Sequence, residues 1–329
     1  MDQIRIGIYG YGNVGKGVEC AALNSEDIDL RAVFTRRSPS EIKLIAPATP
    51  VIPAEEAAQW QNEIDVMIVC GGSAADLPVM TPELAEKFCV VDSFDTHARI
   101  PEHFQSIDRM ADRGGNLALI SCGWDPGLFS LARLMGECAL PHGKNYTFWG
   151  KGVSQGHSDA IRQIPGVAEA CQYTIPSDSA LSEARSDGTK DYTAGQMHTR
   201  ECFVVLEPDA DAAAVRQSIV TMPNYFADYE TTVHFISQEE YDQDHRAFPH
   251  GGIVIRNGHT GKSLENSATI EYRLCLGSNP EFTAGVLVAY ARAVHRMHQR
   301  GRTGCITVFD VAPGDLSPHS PEYLRAHLL

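Results

Sequence analysis

The sequence predicts an α/β fold in which a doubly wound parallel sheet domain precedes a second α+β domain with a mixed or antiparallel sheet. Three observations favour it. Short apolar runs alternate with amphipathic stretches over the first 125 residues, a glycine-rich turn follows the first run, and longer strand-like segments dominate from about Asn145. We expect residues 1–125 and 280–329 to form the first domain and residues 126–279 to form the second.

Five apolar runs are typical of buried parallel strands: IRIGIY, LRAVFT, DVMIVCGG, FCVVDSF and LALISCG. The segments between them have the apolar spacing of amphipathic helices, as in PAEEAAQW, TPELAEKF and PEHFQSIDRMADRG. This alternation predicts helices on both faces of one parallel sheet. Ligands of such sheets bind beyond the carboxyl ends of the strands.

The second domain is predicted mainly from strands, several of them antiparallel: NYTFWG, TRECFVVLE, YETTVHFIS, GGIVIRNG and SATIEYRLCLGS. We expect the last two to form a hairpin whose turn carries Asn257 and Gly258. The segment DAAAVRQSIVTM is predicted as a helix between strands. A long helix, PEFTAGVLVAYARAVHRMHQRG, and a final apolar run, CITVFDVA, are expected to return to the first domain.

The formal net charge of −15 argues against a nucleic-acid partner, which would require a basic surface. It does not exclude a small anionic ligand, because a local pocket can be positive on an acidic protein. No apolar run approaches the roughly 20 residues that span a bilayer. Since the first strand begins by Ile4, we also expect no signal peptide. Nine scattered cysteines without a C-x-x-C pair indicate free thiols and a cytoplasmic location.

Gly10, Gly12 and Gly15 form a G-x-G-x-x-G motif between the first strand and the first helix. In Rossmann domains the first glycine allows a tight turn, the second lets the backbone approach a pyrophosphate, and the third lets the helix pack on the strand. The N–H groups at the helix N-terminus then bind the phosphates. The motif therefore predicts a dinucleotide site at this turn.

The residues after the second strand indicate which dinucleotide binds. NAD-binding domains usually have Asp or Glu there, whereas this chain has Thr35, Arg36, Arg37 and Ser38. A carboxylate would repel a 2′-phosphate, but arginines pair with it through charge-assisted hydrogen bonds. The alternative is that the two arginines are solvated surface charge, but their position favours the phosphate. We therefore predict NADP as the cofactor.

Three later strands of the first domain lead into the turns CGGSAAD, DSFD and CGWDPG. The glycines of the first suit close approach to a cofactor and suit a plain strand-to-helix turn equally well. Asp95, and Asp125 before Pro126, have a structural alternative as capping residues. If both carboxylates instead face one crevice beside a nicotinamide, they would bind a cationic amine.

Seven blocks of the chain together resemble the meso-diaminopimelate dehydrogenase family: GYGNVGKG, FTRR, CGGSAAD, VDSFDTH, SCGWDPGLFS, TFWGKGVSQGHSDAIRQIPGV and FPHGG. The match runs from residue 4 to near the C-terminus. The resemblance implies a homodimer with a Rossmann domain and a substrate-binding and dimerisation domain. It also implies reversible, NADP-dependent oxidative deamination at the D-centre of meso-2,6-diaminopimelate. The products would be ammonia and L-2-amino-6-oxopimelate, which cyclises to tetrahydrodipicolinate in lysine biosynthesis.

The resemblance further implies which residues form the sites. It places Asp95, Asp125 and Trp149 at the reacting end of the substrate as catalytic residues. The other implied substrate-binding residues are Gln155, Gly156, Asp159, Thr174, Arg200, His250 and Asn279. The implied cofactor-binding residues are Gly10, Tyr11, Gly12, Asn13, Val14, Gly15, Thr35, Arg36, Arg37, Cys70, Gly71, Gly72, Ser73, Ser93, Phe94, Asp95, Pro126, Gly127, Leu128, Phe129 and Ser130.

A substrate with two zwitterionic ends needs carboxylates for its ammonium groups and a cation for its carboxylate, and Arg200 gives a bidentate partner. The resemblance implies that Thr174, Arg200 and His250 hold the distal carboxylate. On the residues alone, Arg200 would be interpreted as a surface strand arginine, and Trp149 could be an ordinary core aromatic. No metal site is predicted, because the helical histidines at positions 295 and 298 have no evident third ligand.

Other activities are less consistent with the sequence. The chain has VVDSFD where sugar-type dehydrogenases of similar layout have Glu-Lys-Pro, and it has no His-His and Lys-containing motif of the dihydrodipicolinate reductases. Two alternatives stay open at this point: an NADP-dependent D-amino-acid dehydrogenase of broader scope, and a non-catalytic NADP-binding regulator.

Overall fold

The computed structural model describes residues 3–186 and 188–329. The strands in these ranges are β1 Ile4–Tyr9, β2 Ile28–Thr35, β3 Val51–Pro53, β4 Val66–Val69, β5 Cys89–Asp92, β6 Leu117–Leu119, β7 Gly143–Trp149, β8 Gly152–Val153, β9 Val167–Pro176, β10 His198–Leu206, β11 Thr231–Phe235, β12 His250–Thr260, β13 Asn266–Leu276 and β14 Gly304–Ile306. The α-helices are α1 Asn13–Leu23, α2 Leu77–Ala85, α3 Ile100–Gly114, α4 Leu128–Ala139, α5 Gln155–Arg162, α6 Asp178–Ser186, α7 Ala194–Met197, α8 Ala212–Val220, α9 Gln238–Asp244, α10 Asn279–Gln299, α11 Pro313–Leu316 and α12 Pro321–His327. Short 3-10 helices cover Pro39–Glu41, Ala54–Trp60, His97–Arg99 and Val308–Asp310.

The chain divides into two compact units, and each is described separately. The first unit contains the described residues up to Leu131 together with Pro280–Leu329, and the second contains those of Ala132–Asn279. The division falls inside the continuous helix α4, so no linker marks it. The domain boundary at residues 125 and 126 stays a prediction.

The first unit contains a seven-stranded sheet in the order β14-β6-β5-β4-β1-β2-β3, and every neighbouring pair is parallel. Alternate residues of its strands are buried on opposite faces: Ile68 packs with α1 and α10, and Met67 packs with α2 and α3. A sheet covered by helices on both sides leaves its strand ends as the accessible edge. The predicted fold class is confirmed.

The second unit contains two smaller sheets. One has the order β11-β10-β9-β8, in which only β10 and β11 are parallel; the other has the order β13-β12-β7 and is antiparallel. Helices α5 and α8 pack on one face of the first sheet, α9 packs on its other face, and α6 packs on the second sheet. The predicted α+β character of this domain is therefore confirmed.

The predicted position of the last hairpin turn is wrong. Asn257 and Gly258 lie inside β12, which pairs with β13 without interruption from His250↔Leu276 to Thr260↔Asn266. The turn follows at Gly261, whose φ of +95° lies in the left-handed region that favours glycine. Asn257 is buried and donates hydrogen bonds to the carbonyl oxygens of Ala184 and Arg185. Its side chain therefore binds the carbonyl groups of α6, and the residue does not lie in a turn.

None of the described helices combines the length and apolar character needed to cross a membrane. All nine cysteines are free thiols, and six of them are buried, as the sequence predicts. No group of three metal-binding side chains occurs within the described ranges.

Candidate functional site

The glycine-rich turn shows why its first and third positions need glycine. Gly10 has a φ of +96°, and a Cβ atom there would lie 3.0 Å from the carbonyl oxygen of Cys70. A Cβ atom at Gly15 would lie 2.3 Å from the carbonyl oxygen of Gly10, so only glycine lets α1 pack this closely on the turn. At Gly12 a Cβ atom would meet nothing within 4 Å, and α1 has no side-chain N-cap. This turn therefore has the open approach and uncapped N–H groups that a pyrophosphate requires.

The two arginines after β2 have different partners. Arg36 Nη2 lies 2.8 Å from Asp76 Oδ1, and the Gly72 N–H donates to Asp76 Oδ2 at 2.9 Å. Arg37 Nη2 donates to the carbonyl oxygen of Tyr11 in the glycine-rich turn. The Gly72 N–H and Arg36 lower the pKa of Asp76, which keeps it ionised. Asp76 thus links the arginine loop to the turn after β4, a role that its place in CGGSAAD alone does not reveal.

The turns after β4 and β5 are also joined. The backbone N–H of Asp95 donates to the hydroxyl of Ser73 at 2.9 Å. Phe94 is buried, whereas Asp95 is exposed. Among the described residues, no group donates a hydrogen bond to the Asp95 carboxylate, so the capping alternative for Asp95 has no support here. The exposed Asp95 carboxylate therefore has no structural partner within the described ranges, and its amine-binding role stays a prediction.

The capping alternative for Asp125 is wrong. Helix α4 begins at Leu128, so Pro126 is not its first residue and Asp125 is not its N-cap. Gly127 between them has a φ of +130°, and its N–H donates to the hydroxyl of Ser130 at 3.2 Å. Phe129, one of the predicted cofactor contacts at this turn, has a fully buried side chain. It could therefore contact a ligand only through its backbone.

Arg200 is the buried cation among the predicted substrate-binding residues of the second unit. It lies opposite Thr174 in the β9–β10 pairing, donates through Nη1 to the Thr174 hydroxyl, and stacks 4.0 Å above the Tyr229 ring. The residue is only 7% exposed, its Nε has no hydrogen-bond partner, and burial lowers the pKa of its guanidinium. No described carboxylate pairs with it. A buried guanidinium in this state is a strong binding group for an anionic ligand.

Trp149 lies beside Arg200 in a pocket of about 380 Å³ that His198 and Tyr229 also line. The backbone N–H of Trp149 donates to His198 Nε2 at 2.9 Å, and the two rings stack with centroids 5.4 Å apart. His198 is two residues before Arg200, on the same face of β10. The resemblance does not imply His198 or Tyr229 as site residues; the alternation along HTREC is the signal that could have found His198.

The other predicted substrate residues lie elsewhere in the second unit. His250 lines a second pocket of about 590 Å³ with Lys151 and Arg273, and burial lowers its pKa. Gln155, Gly156 and Asp159 lie exposed on α5, where Asp159 pairs with Arg162. The Asn279 N–H donates to the carbonyl oxygen of Phe248 at 3.0 Å.

Gly152 explains how His250 approaches Thr174. Gly152 pairs with Thr174 in the β8–β9 ladder, and a Cβ atom on it would lie 2.6 Å from the Cα atom of His250. The absent side chain lets β8 fit between these two residues. Thr174 and Arg200 are therefore in direct contact, and His250 is one strand further away.

The burial of His198 leads us to expect that the stability of the fold depends on pH. Burial, and then Arg200, lower the pKa of His198 to about 4 from its usual 6.5, and the side chain is 2% exposed. The unfolded chain therefore binds a proton there that the folded chain excludes. This contribution to stability is full above pH 6.5 and is lost as the pH falls toward 4, by about 3 kcal/mol in total. We expect His198→Gln, which keeps an acceptor, to flatten the pH profile by that amount in denaturant titrations.

His157, whose pKa burial also lowers to about 4, is present in both proteins and provides a common background. A profile of the same slope in wild type and His198→Gln between pH 6.5 and 4 would contradict the assignment to His198.

The fold and these sites define a class of protein: an oxidoreductase that binds a phosphorylated dinucleotide on a Rossmann sheet and carries a separate α+β unit. Residues 123–278 match a family model described as the diaminopimelic acid dehydrogenase C-terminal domain. The meso-diaminopimelate D-dehydrogenase of Ureibacillus thermosphaericus is 55% identical over 329 residues, which is 100% of both chains. The chain belongs to the meso-diaminopimelate D-dehydrogenase family, whose members are NADP-dependent and act on a CH–NH₂ group.

Solved structures agree with this assignment. The diaminopimelate dehydrogenase of Corynebacterium glutamicum, solved in complex with diaminopimelate, is 43% identical and covers 100% of both chains with a TM-score of 0.91. An engineered D-amino acid dehydrogenase bound to NADP⁺ is 42% identical, covers 99% of this chain and 100% of its own, and has a TM-score of 0.86. The members of this family are enzymes, so family membership argues against the alternative of a non-catalytic NADP-binding regulator.

Proposed function

We propose that this chain catalyses the reversible oxidative deamination of the D-centre of meso-2,6-diaminopimelate, with NADP⁺ as the hydride acceptor. The observation that carries the proposal is Arg200, a buried guanidinium without an acidic partner among the described residues. A buried cation is costly unless it is paired. The distal carboxylate of the substrate would supply that pair, which a monocarboxylic amino acid cannot do.

The proposed roles are those that the resemblance to the family implies. Asp95 and Asp125 are proposed to hold the reacting ammonium group, and Trp149 to contact the reacting end. Thr174, Arg200 and His250 are proposed to hold the distal carboxylate, with Gln155, Gly156, Asp159 and Asn279 as further contacts. When bound, NADP⁺ would supply the acceptor for the hydride of the substrate's α-carbon, and hydrolysis of the resulting imine by water would release ammonia.

The direct test is NADPH formation with meso-diaminopimelate, compared with D-alanine and L-lysine. We expect activity with meso-diaminopimelate and almost none with the other two. Comparable activity with D-alanine would favour the broader D-amino-acid dehydrogenase, and no activity with any of the three would contradict the proposal.

The proposed roles of Asp95 and Asp125 predict a selective kinetic defect. Because each carboxylate orients the amine, Asp95→Ala and Asp125→Ala should lower kcat/KM for the amino acid and leave NADPH affinity nearly unchanged. A 1 Å error in placing a reacting group can reduce the rate about a hundredfold, and we expect losses of that order. Steady-state kinetics and NADPH titrations on the same variants measure both quantities.

Asp211 provides the matched control, because it is a true N-cap that accepts the N–H groups of Ala213 and Ala214 at 2.9 and 3.1 Å. Asp211→Ala should cost about 1 kcal/mol of stability with near-normal kinetics. If Asp95→Ala and Asp125→Ala behave like this control, the two carboxylates are structural and their proposed role is wrong.

We also propose that the protein is a cytoplasmic homodimer. Strand β13 is an edge strand with the exposed apolar residues Ile270 and Tyr272, a surface that suits a second copy. Nine free thiols suit a reducing compartment. Light scattering on the purified protein measures the mass, and a monomer at micromolar concentration would contradict the dimer.

A further inference from the structure

Asp92, the last residue of β5, is a fully buried carboxylate that bonds to the backbone of two different turns. Its Oδ1 accepts the Phe94 N–H at 3.1 Å and the Ser121 N–H at 2.9 Å. Phe94 directly precedes Asp95, and Ser121 begins the turn that leads to Asp125. One oxygen atom therefore joins the two segments that carry the proposed amine-binding carboxylates.

The second oxygen of Asp92 is held from the opposite side. Oδ2 accepts the Thr81 hydroxyl at 2.9 Å and lies 2.7 Å from His103 Nε2. The His103 ring stacks on the Phe94 ring with centroids 4.1 Å apart. The turn before Asp95 is thus fixed at both its backbone and its aromatic ring, and all four bonds converge on one side chain.

We propose that Asp92 is a positioning residue that holds Asp95 and Asp125 in their working geometry. The inference rests on the proposed function, because it presumes that these two carboxylates bind the reacting amine. Asp92 itself is fully buried and touches neither substrate nor cofactor in this role.

The chemistry of the position favours a carboxylate. Only an acceptor with two oxygens can take two backbone N–H groups on one side and a hydroxyl and an imidazole on the other. Ser121 has a φ of +55°, a conformation that residues other than glycine rarely adopt, and its bond to Asp92 stabilises it there. An asparagine can keep the two backbone bonds through its oxygen, whereas an alanine loses all four.

The test is a set of double-mutant cycles in the full-length enzyme with meso-diaminopimelate. Asp92→Ala should lower kcat/KM about a hundredfold, as expected for misplaced reacting groups, and Asp92→Asn should recover most of that loss. If Asp92 acts through Asp95 and Asp125, adding Asp92→Ala to either alanine variant should cost clearly less than the hundredfold that it costs in the wild type, because part of the same interaction is already removed. Losses that simply multiply in both the Asp95 and the Asp125 cycle would overturn the proposal.

His103→Phe is a second variant that tests the proposal if the Asp92→Ala protein does not fold. It retains a ring to stack on Phe94 but removes one bond to Asp92, so we expect a loss of about tenfold that is again non-additive with Asp95→Ala. Asp108 provides the control: its Oδ1 accepts the Cys305 N–H at 2.8 Å in the same unit, and no described hydrogen bond joins its side chain to either turn. Asp108→Ala should lower the melting temperature without the kinetic defect.

Hydrogen exchange separates this inference from the proposed function, because it needs no activity. Asp92→Ala should accelerate exchange of the Phe94 and Ser121 amides, and Asp108→Ala should not. Unchanged protection at both amides would overturn the positioning role even in an active enzyme. If the wild type is inactive on meso-diaminopimelate but the two variants still differ in this way, the proposed function alone would be contradicted.

Discussion

Replacing Arg36 and Arg37 together by glutamine is expected to weaken NADPH binding far more than NADH binding. The 2′-phosphate is the group that distinguishes the two cofactors, and both arginines lie on the loop where it would bind. Hydrogen bonds to charged groups contribute about 1.5–3 kcal/mol each, so we expect a loss of about ten- to a hundredfold per arginine. Fluorescence titration of each variant with NADPH and NADH measures the dissociation constants directly.

Arg31 offers a matched control, since it lies on β2, the strand that leads into this loop, but pairs with Asp29 and Glu63. Arg31→Gln should leave the preference for NADPH unchanged. Equal losses for both cofactors in the Arg36 and Arg37 variant would refute the assignment of this loop to the 2′-phosphate.

The cofactor half of the fold follows from local sequence to a large extent. The motif at Gly10, Gly12 and Gly15 depends on neighbours within a few residues, and the structure shows the close backbone contacts that glycine permits. The link from Arg36 to Asp76 spans 40 positions, and no local pattern predicts it. Pairing of side chains distant in the chain is decided by tertiary packing, which explains why Asp76 was missed.

Wild-type protein is expected to be nearly inactive on D-alanine and D-leucine, although their reacting carbon is equivalent to that of meso-diaminopimelate. A site with buried donors for a carboxylate penalises a ligand without one, because those donors are left unpaired. Discrimination of about 10⁴ is attainable in this way. Combining Arg200→Met with Thr174→Ile and His250→Asn should therefore abolish most activity on diaminopimelate and raise activity on simple D-amino acids.

Arg216 is the matched control for Arg200, because it also stacks on an aromatic ring of the second unit, 5.0 Å from the centroid of Phe235. Arg216→Met should not change the substrate preference. The triple variant should remain folded, since replacing a buried charge by an apolar side chain is often neutral or stabilising. A folded variant that loses the first activity and gains nothing would show that these residues do more than select the distal end. No change in either activity would show that the assignment to these three positions is wrong.

The substrate half was harder to predict for a physical reason. On the residues alone, Arg200 would be interpreted as a surface arginine, and only the cross-strand contact with Thr174 and the ring of Tyr229 reveal it as a buried cation. The Asn257-Gly258 pair has the local signature of a turn, but the carbonyl groups of α6 bind the asparagine within a strand. The segment PAEEAAQW is predicted to form an amphipathic helix, but its residues Ala54–Trp60 form a 3-10 helix. The buried partners of Asp92 and His198 lie on separate elements of the fold, so no local pattern predicts them.

The first unit is assembled from two separate parts of the chain, and this has a consequence during translation. The second unit is continuous in sequence, whereas the first lacks α10 and β14 until about 170 further residues have followed Leu131. At about 5–20 residues per second, a ribosome needs roughly 10 to 35 seconds to make them. During that time the face of the parallel sheet that Leu287, Tyr290 and Val294 later cover stays apolar and uncovered on the nascent chain. Residues that are synthesised after the second unit thus complete the first unit.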